Sequence, residues 1–222
     1  MYLLTKNKST PLLKCVSNFL SDDEINHIFE FSKDIEFVHG KVGTRIENSK
    51  NKNDLNKHIK DTSNGFVSRV RENNVKWIEL NDTTNWLYDK LITTINEINA
   101  SDYFYILRHL EMLQFTHYDS NKNGFYRKHT DQSPKHSVES FVSIRKLSFS
   151  IQLSDPNQYT GGDLILTNNK ISIHTNKEEY IKVPKTKGTL IFFPSDVVHE
   201  VTPVTKGDRY SLVGWVSGPN LL

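Results

Sequence analysis

The chain has 222 residues, enough to bury one sizeable core, and its 28 basic and 26 acidic residues are interspersed, leaving a formal charge of +2 that argues against a phosphate-binding surface. A single cysteine, Cys15, excludes an intrachain disulfide and suits a reducing, cytoplasmic setting. No apolar run approaches the roughly 18 residues of a membrane span, and Met1 to Pro11 lacks the apolar stretch of a signal peptide, so neither membrane nor nucleic acid is expected as a partner.

In chain order, Ser21-Asp22-Asp23-Glu24 has the form of a capping box, and Ile25, Ile28 and Phe29 follow at helical spacing, predicting a short helix that ends near Lys33. Gly40 to Asn74 is polar with weak periodicity and reads as a loop, either a solvated connector or a mobile closing segment. After Asp82-Thr83-Thr84, the residues Trp86, Leu87, Leu91, Ile92, Ile95 and Ile98 form an apolar stripe, predicting an amphipathic helix packed on something flat. From residue 103 the texture changes to short strand-like runs divided by Asn, Gly, Asp and Pro. They are Tyr103 to Leu107, Met112 to Tyr118, Leu147 to Leu153, Asp163 to Leu166, Tyr180 to Val183, Thr189 to Phe193 and Tyr210 to Trp215. Helices first and then many strands, with no helix between the strands, predicts an α+β, mainly β chain. The expected architecture is a jelly roll or barrel with the long helix braced on its outer face. A single domain over residues 1–222 is expected, with helical support and the variable loop over about 1–100 and the jelly-roll core over about 101–222.

His129-Thr130-Asp131 places two ligand-bearing residues at i and i+2, which at the end of a strand project to one face. His199, beyond the strand-like run Gly188 to Pro194, is the candidate for a third ligand. Two histidines and one carboxylate on one face leave open positions on an octahedral ion, as in non-haem iron(II) oxygenases. Arg209 follows on the next strand, where a buried guanidinium needs an anion and grips a carboxylate through two parallel hydrogen bonds. Ser211, on the same face, adds a hydroxyl. The distal carboxylate of 2-oxoglutarate meets that demand.

From about Trp86 to Pro219 the chain resembles the prolyl 4-hydroxylase-like branch of the 2-oxoglutarate oxygenases, especially the PKHD-type hydroxylases. Five ordered stretches carry the resemblance: Gln114 to Tyr118, Gly124 to Asp131, Arg145 to Ser154, Tyr159 to Leu164, and Gly188 through Pro194, His199, Gly207, Arg209 and Trp215 to Pro219. The resemblance implies a double-stranded β-helix, with iron(II), 2-oxoglutarate and dioxygen, and with ascorbate (vitamin C) as reductant. It implies a peptide or protein substrate hydroxylated at a prolyl residue, with succinate and carbon dioxide as co-products. It also implies that Tyr118 lines the co-substrate pocket and that Trp215 walls the metal site. Residues 1 to 80 match weakly.

Other readings stay open at this stage. Tyr118 and Tyr126 also read as strand aromatics with a surface hydroxyl, Tyr126 by preference, and Trp215 also reads as core. Gln152 is a candidate on the co-substrate side, alongside the alternative that it and Ser150 are inward polar residues satisfied by backbone. His109, His117, His136 and His174 read as ordinary surface or core histidines, Gly161-Gly162 as a tight turn and Cys15 as structural. Hydroxylation of another side chain or a free amino acid would use the same centre. An AlkB-like nucleic-acid demethylase would carry a second arginine six residues after Arg209, where this chain has Trp215. A non-catalytic jelly-roll module would have a damaged triad or no arginine, and this chain has both intact.

Overall fold

The computed structural model describes residues 10–40, 70–132, 143–168 and 179–219. In chain order the elements are β1 (Lys14–Val16), α1 (Asp22–Ser32), β2 (Val38–His39), β3 (Arg71–Glu72), β4 (Asn74–Ile78), α2 (Asn85–Ile98), β5 (His109–Leu110), β6 (Leu113–Asp119) and β7 (Phe125–His129). They continue with β8 (Ser143–Gln152), β9 (Thr160–Gly161), β10 (Leu164–Asn168), β11 (Glu179–Lys182), β12 (Leu190–Pro194), β13 (His199–Val201), β14 (Val204–Lys206) and β15 (Asp208–Pro219). The pairings are antiparallel. An eight-stranded major sheet runs β1-β12-β8-β15-β6-β4-β2 with β5 added beside β15, and a five-stranded minor sheet runs β11-β10-β13-β7-β3. The two sheets form the jelly roll, and β14 and β9 make a small ribbon at one end.

Alternation along the major sheet decides what faces what. Leu113 and Phe115 of β6, Leu147, Phe149 and Ile151 of β8, and Leu212 and Val216 of β15 point to one side. There they pack with Ile25 and Ile28 of α1 and Leu87, Tyr88, Leu91 and Ile95 of α2. The residues between them are polar: Gln114 and Thr116, Ser148, Ser150 and Gln152, and Arg209 and Ser211 are all buried on the other side. β12 is apolar on both faces, with Leu190 and Phe192 in the helix-side core and Ile191 and Phe193 in a second cluster between the sheets. Gly214 pairs directly with Phe149, whose ring occupies the space a Cβ would take, so only glycine lets that aromatic lie across the sheet.

α1 starts as its sequence predicts: the Glu24 N–H donates to Ser21 Oγ at 3.2 Å and the Ser21 N–H to Glu24 Oε2 at 2.8 Å. α2 buries Leu87, Leu91 and Ile95 against the major sheet, as its stripe predicts, whereas Ile92 of that stripe is exposed. Two expectations are corrected. Tyr103 to Leu107 is not a strand: α2 runs into a π turn at Asn99–Tyr103, and Phe104 is left-handed at φ 58°. The Asn99 side chain takes both backbone polar groups of Tyr105, accepting from its N–H and donating to its carbonyl at 2.9 Å each, so those groups are unavailable to a ladder. The end of the stretch read as a loop is also strand: Arg71–Glu72 pairs with β7 and Asn74–Ile78 with β6. Its polar residues Arg71 and Asn73 are buried against each other, which a hydropathy pattern does not register. Residues 41–69 of that stretch, and with them its reading as a connector or closing segment, lie outside the described residues, as do His136 and His174.

Candidate metal and co-substrate site

β7 and β13 are neighbours in the minor sheet, and their register sets His129 directly opposite His199. Asp131 follows two residues past the end of β7, where its N–H and that of Gln132 both donate to the Ser195 carbonyl at 2.9 Å. The three side chains therefore converge, with His129 Nε2 3.7 Å from Asp131 Oδ1 and His199 Nε2 3.5 Å from Asp131 Oδ2. One ligand atom from each lies within 4.8 Å of the others. Each imidazole donates from Nδ1 to a main-chain carbonyl, His129 to Arg127 at 2.8 Å and His199 to Val197 at 2.9 Å. Since a carbonyl only accepts, both tautomers are set and both Nε2 lone pairs face the shared point. Burial and the neighbouring His199 push His129 down to about 4, with Asp131 working the other way. Burial works to raise the Asp131 carboxyl, but His199 and His129 hold it below the usual carboxylate range. Two imidazoles whose Nε2 atoms turn inward and one carboxylate form a donor set that fits a divalent ion with open positions.

Above this cluster opens a cavity of about 510 Å³, walled by the polar face of the major sheet and the inner face of β7 and β13. Arg209 lines it and is only 2% exposed. Its Nη1 donates to Ser211 Oγ and its Nη2 to Gln152 Oε1, each at 3.2 Å, and its guanidinium carbon lies 5.2 Å from the centre of the Tyr118 ring. The register explains the grouping, because Arg209 pairs with Tyr118 and Ser211 with both Thr116 and Gln152. Among the described residues no carboxylate pairs with Arg209, and its Nε has no hydrogen-bond partner. A buried cation surrounded by neutral groups leaves room for one anion, and a ligand carboxylate fits that demand. Trp215 lies on the same strand face, with the Arg145 guanidinium 3.9 Å from its ring centre and Trp77 6.4 Å away. Arg145 is itself held by Glu111 through two hydrogen bonds of 2.9 and 2.6 Å.

The chain matches the model of the 2OG-Fe(II) oxygenase superfamily over residues 113–217, from the start of β6 almost to the end of β15. That segment, 105 of the 222 residues, carries the superfamily's pattern. Among curated relatives, it is 26% identical over 205 residues to the PKHD-type hydroxylase YbiX of Shigella flexneri, spanning 90% of this chain and 76% of that one. It is 29% identical over 185 residues to a PKHD-type hydroxylase of Prochlorococcus marinus, spanning 81% and 74%. Two solved structures share the fold. A prolyl-4-hydroxylase of Pseudomonas putida aligns with a TM-score of 0.59 at 19% identity, covering 94% of this chain and 92% of that one. A prolyl hydroxylase of Trichoplax adhaerens, solved in complex with a peptide fragment of a hypoxia inducible factor, aligns at 0.65 and 17% identity, covering 92% and 83%. The superfamily whose model matches implies iron(II), 2-oxoglutarate and dioxygen, and the matched segment contains every residue of the cluster and Arg209.

Two side chains of the cavity were not anticipated as part of it. Tyr126, read as a surface aromatic, is half-buried and stacks on His129 with ring centres 3.5 Å apart and planes 17° apart. Strict alternation puts residues 126 and 129 on opposite faces, but a one-residue register shift between His199 and Val201 brings them to the same side. Arg71 also lies over the Tyr126 ring, its guanidinium carbon 4.7 Å from the ring centre and its Nη2 donating to Gln114 Oε1 at 2.8 Å. No signal marked Arg71, since it comes from the polar stretch read as loop. Gln152 is also not satisfied by backbone alone, because its side chain accepts from Arg209. His117 keeps its ordinary reading, bonded to Asp208 at 2.8 Å and stacked on Tyr210.

Proposed function

We propose that His129, Asp131 and His199 hold iron(II), that Arg209 with Ser211, Gln152 and Tyr118 holds 2-oxoglutarate, and that the enzyme hydroxylates a prolyl residue of a peptide or protein. The observation that carries the reading is the convergence, in one cavity, of a His-Asp-His cluster with a buried arginine that has no anionic partner among the described residues. The chemistry iron(II) supplies when bound is dioxygen activation coupled to oxidation of 2-oxoglutarate to succinate and carbon dioxide, with one oxygen atom delivered to a C–H bond. The chain's part is geometric. The Nδ1 bonds of His129 and His199 orient the ligand lone pairs, the fork of Arg209 sets the direction of the dicarboxylate, and the Tyr126 ring shields one side of His129 from water.

The prolyl assignment draws support from similarity to PKHD-type and prolyl hydroxylases and from the aromatic wall of Trp215 and Trp77, which suits a compact apolar ring. The peptide bound by the Trichoplax neighbour points the same way for the substrate class. Proline also favours an extended backbone, which lowers the ordering cost of binding in an open groove. The reading includes ascorbate as reductant, a cytoplasmic setting and one domain over residues 1–222. No described helix is long and apolar enough to cross a membrane. The test is incubation with proline-containing peptides, iron(II), 2-oxoglutarate and ascorbate, followed by fragmentation to place any added oxygen. Oxygen found only on another residue type or a free amino acid overturns the prolyl assignment and leaves the oxygenase standing.

A further inference from the structure

Two buried polar atoms have no hydrogen-bond partner: Nε of Arg209 and the hydroxyl of Tyr159. Tyr159 is 5% exposed and precedes the Gly161-Gly162 turn. A Cβ built on Gly162 would meet Arg209 Cδ at 2.8 Å and Tyr159 Cε2 at 3.3 Å. The carbon that carries Nε and the ring carbon next to the phenol carbon thus flank a single point. Gly162 is left-handed at φ +60°, and its bare Cα allows the two side chains to close over it.

Tyr159 is not among the cavity-lining residues; it packs in the cluster between the sheets with Leu164, Val201 and Val204. Its ring is held from another side by the Lys185 ammonium, 4.8 Å from its centre, which is itself paired with Asp163 at 2.6 Å. Burial raises the Tyr159 hydroxyl, and the Arg209 guanidinium pulls against that rise, as expected for a phenol beside a cation.

A guanidinium has five N–H donors, two on each terminal nitrogen and one on Nε. In Arg209 each terminal nitrogen gives one bond to a neutral side chain, to Ser211 and to Gln152, both at a long 3.2 Å. Those contacts leave the plane of the fork loosely set, and the remaining terminal N–H groups are the ones a carboxylate needs. An acceptor on Nε would lock the plane without competing for the ligand.

We propose that Tyr159 is a positioning residue for the co-substrate: its hydroxyl oxygen accepts the Arg209 Nε–H and holds the guanidinium with its terminal nitrogens toward the distal carboxylate of 2-oxoglutarate. This rests on the oxygenase reading of the site given above.

The experiment is a calorimetric titration of the full chain loaded with manganese(II), which supports binding without turnover. 2-Oxoglutarate is compared with oxalate, which chelates the same metal but has no distal carboxylate. In Tyr159→Phe, 2-oxoglutarate should bind roughly three- to tenfold more weakly while oxalate binds as in wild type, the loss expected for one buried hydrogen bond. In an Arg209→Lys background, where no Nε–H exists, Tyr159→Phe should have no further effect on 2-oxoglutarate. Unchanged 2-oxoglutarate binding, or equal weakening of both ligands, overturns the proposal. A wild-type protein that binds neither ligand sinks the oxygenase reading itself. Should the variant not fold, arginine-labelled NMR of the wild type decides. Saturating 2-oxoglutarate should slow exchange of the Arg209 Nε–H, and exchange that stays fast overturns the assignment.

Discussion

The two faces of the major sheet are built from alternate residues of the same strands, yet they do opposite work. On β8, Leu147, Phe149 and Ile151 meet the helices, while on the opposite face Ser150 lines the cavity, Ser148 bonds Ser195 and Gln152 bonds Arg209. The outer face is apolar and close-packed, so its contribution is free energy of folding. The inner face buries polar groups that no core would choose, among them an arginine with no carboxylate partner among the described residues, a cost in stability that the proposed ligand site explains. Function here is a pattern of tolerated burial, held in place by an apolar face one residue away.

Substitutions that separate the two faces test this division. The largest effect should follow loss of a cluster ligand: Asp131→Ala or His199→Ala should lower succinate formation by more than about 100-fold, since loss of mere outer-shell support already costs 10–100-fold. The melting temperature measured without metal should stay near that of wild type, and a folded variant with equal turnover would remove these residues from the metal site. On the outer face, Phe149→Ala should cost about 3–5 kcal/mol of stability in a denaturant titration. Turnover per folded molecule should hardly change, and a large loss of turnover in the folded fraction would show that the faces are not separable. Returning to the cavity, Arg209→Ala should weaken 2-oxoglutarate binding by about 2–5 kcal/mol, read as a rise in the concentration needed for half-maximal turnover. The same dependence in variant and wild type would make Arg209 a structural residue. The smallest effect belongs to Ser211→Ala, which removes one 3.2 Å contact to Arg209. It should raise the 2-oxoglutarate requirement by about 0.5–1.5 kcal/mol, and thermal stabilisation by 2-oxoglutarate with metal should shrink in parallel.

Legibility in the sequence followed the range of the interaction. α1 was readable because its capping box closes within four residues, and α2 because its apolar stripe repeats over one helix face. The strands of the sheet centre were readable from their apolar runs, with β12 read at Thr189 to Phe193 and found at Leu190–Pro194. The Tyr103 to Leu107 segment misled because its aromatic and aliphatic run has strand-like composition, but the Asn99 side chain takes the backbone groups of Tyr105. β3 was missed because its buried members are polar and their partners lie elsewhere in the chain: Arg71 meets Gln114, 43 residues away, and Tyr126.

By itself the sequence determined which groups were available for chemistry: two histidines, a carboxylate and an arginine, with His129 and Asp131 brought to one side by spacing alone. That follows from local geometry, since residues at i and i+2 share a face in any extended segment. Only the tertiary structure decided that His199 stands opposite His129, that a register shift turns Tyr126 onto the same imidazole, and that Tyr159 comes up beside Arg209. These are relations between strands, set by pairing register and sheet closure, and a one-residue change in register reverses them while leaving each strand's own pattern intact.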